Sequence, residues 1–556
     1  MSLLLGIDIG TSGTKVIAID EKGALVATAS RQYALSTPKP LWAEQNPLDW
    51  WDATADCCRE IVQQVGAENI SGIGLSGQMH GLVMLDENGE VLRPAILWCD
   101  GRTQQQCDYI TQTVGKDVLV EETCNPVLAG FTAPKIIWVR DNEPHLYERA
   151  QMFLLPKDYV RFRLSGTFAT EVSDASGTSL LNVPNRQWSD RVLDALQIDR
   201  AKLPRVYESH EVSATVSQTG SEATGLRVGT PIVGGGGDQA AGAVGNGIVQ
   251  SGVLSVALGT SGVVFAFADT PSVDPALRVH TFCHAVPNKW HIMGVMLSAG
   301  GSLRWFRDTL GRPEKRVAEL MQVDPYELIA REAATVAPGS EGLIFLPYLS
   351  GERTPHPDPL ARGAWVGLTL RHTKAHMARA VMEGVAFGLR DSLEIMRGLN
   401  VSIGNVRVNG GGARSDVWRQ IQADVFDFPL STIGVDEGPA LGAALLAGVG
   451  AGVYDSIEEA CSHVVKVVGS TPVIRENAEA YARYYEIYRG LYPALKNSFA
   501  ALGNYPRRTR RARRKKEETW KQTTEYSIYS LLFSSPVFPF LFPSRSSRPS
   551  RFKRTL

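Results

Sequence analysis

The sequence predicts an α/β protein built as two similar halves with a ligand site between them. Short apolar strands end in glycine-rich turns and are followed by helices. The same four-residue turn occurs in each half, as Gly10-Thr11-Ser12-Gly13 and Gly259-Thr260-Ser261-Gly262. The length of 556 residues, with 44 % hydrophobic and 21 % charged residues, suits a globular chain of several domains with sizeable cores. That composition excludes collagen-like, wholly disordered and disulfide-scaffold chains.

Each element has a local signal. Leu3–Ile9 is an apolar strand whose run is stopped by Asp8, and Thr14–Asp20 is a second. Glu21-Lys22-Gly23 reads as a hairpin turn into a third strand, Ala24–Tyr33. Asn46-Pro47 supplies an N-cap and an N1 proline for a helix over 48–65, with Gly66 past its end. Ile70–Leu75, Leu82–Leu85 and Leu92–Trp98 are short strands. A second cycle starts near residue 230. Pro231–Val233 ends in Gly234-Gly235-Gly236-Gly237-Asp238. Gly252–Ala257, Val263–Ala268, His291–Val295 and Val406–Asn409 are strands. Ala299–Leu310, Lys374–Leu399, Ser415–Asp424 and Pro439–Gly448 are helices. The domain reading is 1–245, 246–500 and a tail at 501–556.

Lys and Arg number 57 and Asp and Glu 58, but residues 505–556 alone carry a net +11. The body is therefore mildly acidic, which argues against nucleic acid as its main partner. The tail, with Arg507-Arg508-Thr509-Arg510-Arg511 and no apolar periodicity, reads as disordered. It is either a patch for nucleic acid or another anionic surface, or an extension without a role; the second reading is favoured. Seven cysteines without a CxxC pair read as reduced thiols, and His280 and His284 as ordinary strand or loop residues. No basic leader precedes the first strand, and no run of about 20 apolar residues predicts a membrane span.

Several turns carry chemistry. In Asp8-Ile9-Gly10-Thr11-Ser12-Gly13 the turn amides can surround an oxyanion, and Thr11 and Ser12 add hydroxyl donors. Asp8 does not suit direct contact with a phosphate, because like charges repel. It suits a hydrated Mg²⁺ lying between itself and the phosphates. The plain alternative is a capped hairpin turn. Gly259-Thr260-Ser261-Gly262 supplies a second such turn, so a polyphosphate can be gripped from both sides. Gly410-Gly411-Gly412 lets an adenine and ribose rest on bare backbone; its alternative is close helix–strand packing. None of these is a GxxxxGK[ST] loop. Asp238 follows four glycines and opens a small-residue helix. An ionised carboxylate there can accept a hydroxyl proton as a phosphoryl group arrives; its alternative is an N-cap. Ser76-Gly77-Gln78-Met79-His80-Gly81 suits a small polyol, with His80 otherwise a satisfied loop histidine. Asp100 and Arg102 are further polar candidates, or else a local ion pair.

Taken together, these stretches resemble the FGGY carbohydrate kinases of the actin-like ATPase superfamily, over about residues 3–495. The first family signature looks like Gly130-Phe131-Thr132-Ala133-Pro134-Lys135-Ile136-Ile137-Trp138, and the second like Gly363-Ala364-Trp365-Val366-Gly367-Leu368 continuing to Glu383. Ser76–Gly81, Leu97–Arg102, Leu155–Tyr159, Gly235–Gly242, Ser350–His356 and Asn409–Ser415 add to the match in the right order. The resemblance implies two duplicated actin-like ATPase (ribonuclease H-like) domains, each on a mixed five-stranded sheet, with a catalytic cleft between them. It implies ATP and Mg²⁺, and phosphorylation of D-xylulose to D-xylulose 5-phosphate in D-xylose catabolism. The enzyme implied is cytoplasmic, a monomer or homodimer, without membrane or nucleic-acid partners for its body. By resemblance Asp238 is the catalytic base, and Met79, His80 and Gln239 contact the sugar. Gln239 stands where relatives often have Asn. Nucleotide contacts carry over to Thr260, Gly300, Gly411, Gly412 and Ser415, beside Thr11 and Ser12. Another ketose or polyol kinase and a non-enzymatic nucleotide switch are the rival readings.

Overall fold

The computed structural model describes residues 2–434 and 437–503. The basic stretch from Arg507 onward lies outside the described residues, so the reading of the tail stays a sequence reading.

Two seven-stranded sheets organise residues up to Lys496. In the N-terminal half the order is Val212–Thr215, Pro231–Val233, Ile70–Gly77, Leu3–Ile9, Gly13–Ile19, Leu25–Gln32, with Gly236–Gly237 also pairing with Ile70–Gly77. Leu3–Ile9 is antiparallel to Gly13–Ile19 and parallel to Ile70–Gly77. In the C-terminal half the order is His280–Cys283, Trp290–Met296, Gly262–Ala268, Gly252–Leu258, Ile403–Asn409, Leu430–Ile433, Val467–Thr471. Gly252–Leu258 is antiparallel to Gly262–Ala268 and parallel to Ile403–Asn409, so the second half repeats the first.

The expected five-stranded sheets are corrected to seven. Val212–Thr215 and Gly236–Gly237 extend one sheet, and His280–Cys283 and Val467–Thr471 the other. Three of these additions have no apolar alternation to announce them. Leu92–Trp98 shrinks to a strand of two residues, Ala95–Ile96.

Local chemistry sets the elements. The near-continuous burial of Leu3–Ile9 marks a strand covered on both faces. The alternating exposure of Leu25–Gln32 marks a sheet edge. Asn46 caps the helix Pro47–Val65 by accepting from the Leu48 amide, with Pro47 at N1. Six of the seven cysteines are buried, Cys99 is exposed, and all are free thiols.

One helix joins the halves. Gly438–Gly450 follows Leu430–Ile433 of the second sheet but lies on the first sheet's strands Leu3–Ile9 and Ile70–Gly77. A side chain at Gly6 or Gly74 would collide with the carbonyl of Ala440 or Ala443. The helix also crosses Asp238–Gly245, with Gly442 against the Ala241 carbonyl. Leu4, Ile17, Val244, Val253, Phe265, Phe267 and Leu445 thereby share one core between the two sheets.

Candidate active site

The carboxylates come together at the carboxyl ends of parallel strands, where open α/β sheets bind ligands. Asp8 is in register with Ser76, and Gly236 pairs with Ser76 from the other side. Asp8 and Asp238 therefore flank the end of the same strand, Ile70–Gly77. Both are half-buried. Burial pushes the Asp238 carboxyl up to about 7, with the Asp8 charge adding to the rise. Burial pushes Asp8 up to about 6, offset in part by Ser76 and Lys15. Among the described residues the Oδ1 atom of Asp8 is enclosed without a hydrogen-bond partner.

The turn that presents Asp238 needs its glycines. Gly235 has φ 71°, and a side chain there would strike the Leu75 carbonyl. Asp238 is not the N-cap. It is the first residue of its helix, Gly237 occupies the cap, and the Asp238 carboxylate accepts from Gln239 Nε2 at 3.4 Å. The capping alternative is thereby corrected, and the carboxylate is left for other work.

Beneath the turn lies a buried charge network. The Lys157 side chain is fully buried, with Nζ 2.8 Å from Asp158, 3.3 Å from Asp174 and 3.5 Å from Glu171. Arg161 pairs with Asp158 at 2.7 Å and donates to the Gly234 carbonyl. The Gly237 amide donates to Ser173 Oγ at 3.1 Å, and Ser173 is held by Glu171. Burial raises Asp174 well above the ordinary carboxylate value, against the pull of the Lys157 charge.

Met79 lies against Gly237, the residue before Asp238. A methyl group on Gly237 would come within 2.9 Å of Met79. His80 has φ 67°, bonds the Gly177 carbonyl through Nδ1 at 2.8 Å and stacks on Phe131 at 4.6 Å. Burial holds the imidazole well below its ordinary pKa, so it is neutral. Gln78 is buried and joins Gln45 and Thr11 at 3.0 and 3.2 Å. The Thr11 hydroxyl also accepts from Trp98 Nε1 at 3.0 Å. Thr11 thus braces the loop that carries Gln78, Met79 and His80, and Ser12 is exposed.

The remaining candidates gather at the equivalent end of the second sheet. The amides of Ala299 and Gly301 donate to the Thr260 carbonyl, and that of Gly300 to Gly259, at 2.9–3.0 Å. Gly300 is thus glycine because the Gly259 carbonyl leaves no room for a side chain. Gly410 and Gly412 pack on Leu258, whereas Gly411 is exposed with open space beside it. Ser415 caps the helix Asp416–Phe426 by accepting from the Trp418 amide at 3.3 Å. Met79, Phe131, Phe282 and Met293 form one apolar cluster, and Val263, three residues beyond Thr260, packs against it. That cluster links the Met79 loop to the strand that follows the second turn.

Asp100 and Arg102 are not open polar groups. Arg102 forks onto Asp100 at 2.7–3.0 Å, pairs with Glu44 and lies 3.6 Å over Trp42. His280 and His284 are buried among aromatic rings, with Phe282 and Phe265 as neighbours. Lys135, Lys157 and Arg161 are not among the site candidates the sequence suggests, although Lys135 is visible there as a cation amid apolar helix positions.

The family models for the N-terminal and C-terminal domains of the FGGY carbohydrate kinases match residues 3–245 and 254–451. The xylulose kinase of Bacillus subtilis (strain 168) is 39 % identical over 507 residues, covering 91 % of this chain and 99 % of its own. That of Escherichia coli (strain K12) is 40 % identical over 497 residues, covering 89 % and 99 %. The solved ligand-bound xylulose kinase of Lactobacillus acidophilus superposes with a TM-score of 0.84 at 28 % identity, covering 90 % and 100 %. Both halves of the chain are thus matched, and the chain belongs to the FGGY family of carbohydrate kinases.

Proposed function

We propose that the chain transfers the terminal phosphoryl group of ATP to the 5-hydroxyl of D-xylulose, as a cytoplasmic enzyme. The observation that carries this reading is Asp238. It is uncapped, projected by a glycine turn beside the Met79–His80 loop, and tuned to about 7. A group with that proton affinity accepts a hydroxyl proton at neutral pH. Asp238 takes the proton from the sugar hydroxyl as its oxygen bonds to the γ-phosphorus and the bond to ADP breaks. Met79 and His80 hold the sugar, and the neutral His80 ring serves as a hydrogen-bonding wall. Gln239, on the turn of helix that carries Asp238, reads the same sugar.

The Gly10 and Gly259 turns, where Ser12 and Thr260 are exposed, face the phosphates. The open flank of Gly411 receives the adenine and ribose, with Gly412 behind it. Ser415 sets the start of the helix beside them. Catalysis is then mainly placement and electrostatics. Asp8 fits Mg²⁺: it offers an enclosed, unpartnered hard oxygen. Among the described residues no three metal-ligating side chains gather, which suits an ion that keeps most of its waters. When bound, Mg²⁺ supplies charge neutralisation at the β- and γ-phosphates.

ADP release measured over D-xylulose, D-ribulose and glycerol tests the reading. D-xylulose is expected to give the highest kcat/KM. Faster turnover of either alternative would reassign the substrate, and ATP turnover indifferent to every sugar would remove the kinase reading.

A further inference from the structure

Lys135 lies in the first turn of the helix Thr132–Asn142 and is 0 % exposed. Its ammonium makes two hydrogen bonds, both to main-chain carbonyls: His80 at 2.6 Å and Gly130 at 2.7 Å. Burial lowers its pKa to about 7, against the pull of the Asp100 charge. A buried cation without a close carboxylate costs several kcal/mol, and an apolar residue of the same volume would pack there more stably. The helix around it is apolar and fully buried from Ala133 to Val139, apart from Lys135 itself. Packing therefore does not explain the lysine.

What it holds does. The His80 carbonyl accepts from Lys135 and, at 3.1 Å, from Thr132 Oγ1. His80 adopts φ 67°, a left-handed conformation that costs a non-glycine residue roughly 1–2 kcal/mol. Glycine would relieve that cost but would remove the ring. The loop instead keeps the imidazole and is pinned by donors from the next helix. Relaxation of His80 would turn the ring off Phe131 and swing Met79 away from Gly237, beside Asp238.

We infer that Lys135 is a positioning residue for sugar specificity: without touching the substrate, it clamps the His80 main chain so that Met79 and His80 face the sugar. The inference rests on the assignment of that loop to the sugar. It deepens the function reading by naming what sets the loop's shape.

The test compares Lys135→Met, Lys135→Arg and Thr132→Val in the full chain, using whichever sugar of the panel best drives ADP release in the unmodified protein. That choice separates a wrong substrate from a wrong role for Lys135. Lys135→Met is expected to raise the sugar KM by roughly tenfold or more, the loss of a charge-assisted hydrogen bond. The KM for ATP and the sugar-independent ATP hydrolysis should stay within about twofold of the unmodified protein's. Lys135→Arg, which keeps a donor, should recover part of the sugar KM. An unchanged sugar KM in Lys135→Met, or sugar and ATP KM rising together, overturns the inference. If Lys135→Met does not fold, Thr132→Val decides: removal of the lone hydroxyl donor should raise the sugar KM severalfold, and an unchanged value overturns it.

Discussion

Asp8 and Asp238 stand on either side of one strand end, and the charge of Asp8 adds to the burial that raises Asp238 to about 7. Both carboxyls are raised, and the proposed function divides the work between them, Asp238 as the base and Asp8 as the ion holder.

Removing the base should abolish turnover and spare the fold. Asp238→Asn is expected to lower kcat by roughly 10²–10⁴-fold, the usual weight of a positioned base. Coupled ADP release measures it, and circular dichroism checks the fold. Turnover within threefold of the unmodified protein would take Asp238 out of the chemistry.

The same residue should burden stability at alkaline pH. Its carboxyl binds a proton more tightly folded, at about 7, than its ordinary value of 3.8. Between those values the native state holds more protons than the unfolded one, so stability falls as pH rises. Above about 7 the loss is complete. Asn carries no such penalty. Asp238→Asn should therefore be more stable than the unmodified chain at pH 8 by about 1–2 kcal/mol, after discounting for solvent access to a half-buried group. The gap should close toward pH 4. Urea unfolding at the two pH values reads it, and equal differences at both would refute the linkage.

The glycines of the second half should separate folding from nucleotide binding. Gly411 has open space where a side chain would stand, so Gly411→Ala should leave the melting temperature unchanged while raising the KM for ATP severalfold. Gly300→Ala meets the Gly259 carbonyl and should lower both the melting temperature and ATP affinity. If Gly411→Ala had an unaltered KM for ATP, the nucleotide would not lie there.

The network under the catalytic turn should behave as a unit. Arg161→Met removes the donor to Gly234 and leaves Asp158 with Lys157 alone. The expected destabilisation is about 3–5 kcal/mol, the cost of breaking a buried pair. Denaturant titration measures it, and a loss under 1 kcal/mol would mean that water or rearrangement replaces the arginine.

Much of this was legible in the sequence because local rules and global packing agree. The turns after Ile9, Val233 and Leu258 announce themselves by glycine, and the helix at Pro47 by its cap and proline. Asp238 stood out as a lone acid after four glycines. What escaped was non-local. Val467–Thr471 is an exposed edge whose partner, Leu430–Ile433, lies more than thirty residues away. The service of Arg102 to Glu44, and of Lys135 to the His80 carbonyl, depends on segments that only folding brings together. Ser415 illustrates a shared signal, since a serine before a helix reads equally as cap or ligand.

The crossing of Gly438–Gly450 with Asp238–Gly245 limits how the molecule can breathe. Main chain meets main chain there, at Gly442 on Ala241 and Gly245 on Gly438, and the same helix presses on Gly6 and Gly74. At these points of closest approach, sliding by one residue would drive β-carbons into carbonyl oxygens. Swivelling around this glycine axle is the displacement left open, and Asp238, at the root of the pivot, would barely travel while the outer rims swing.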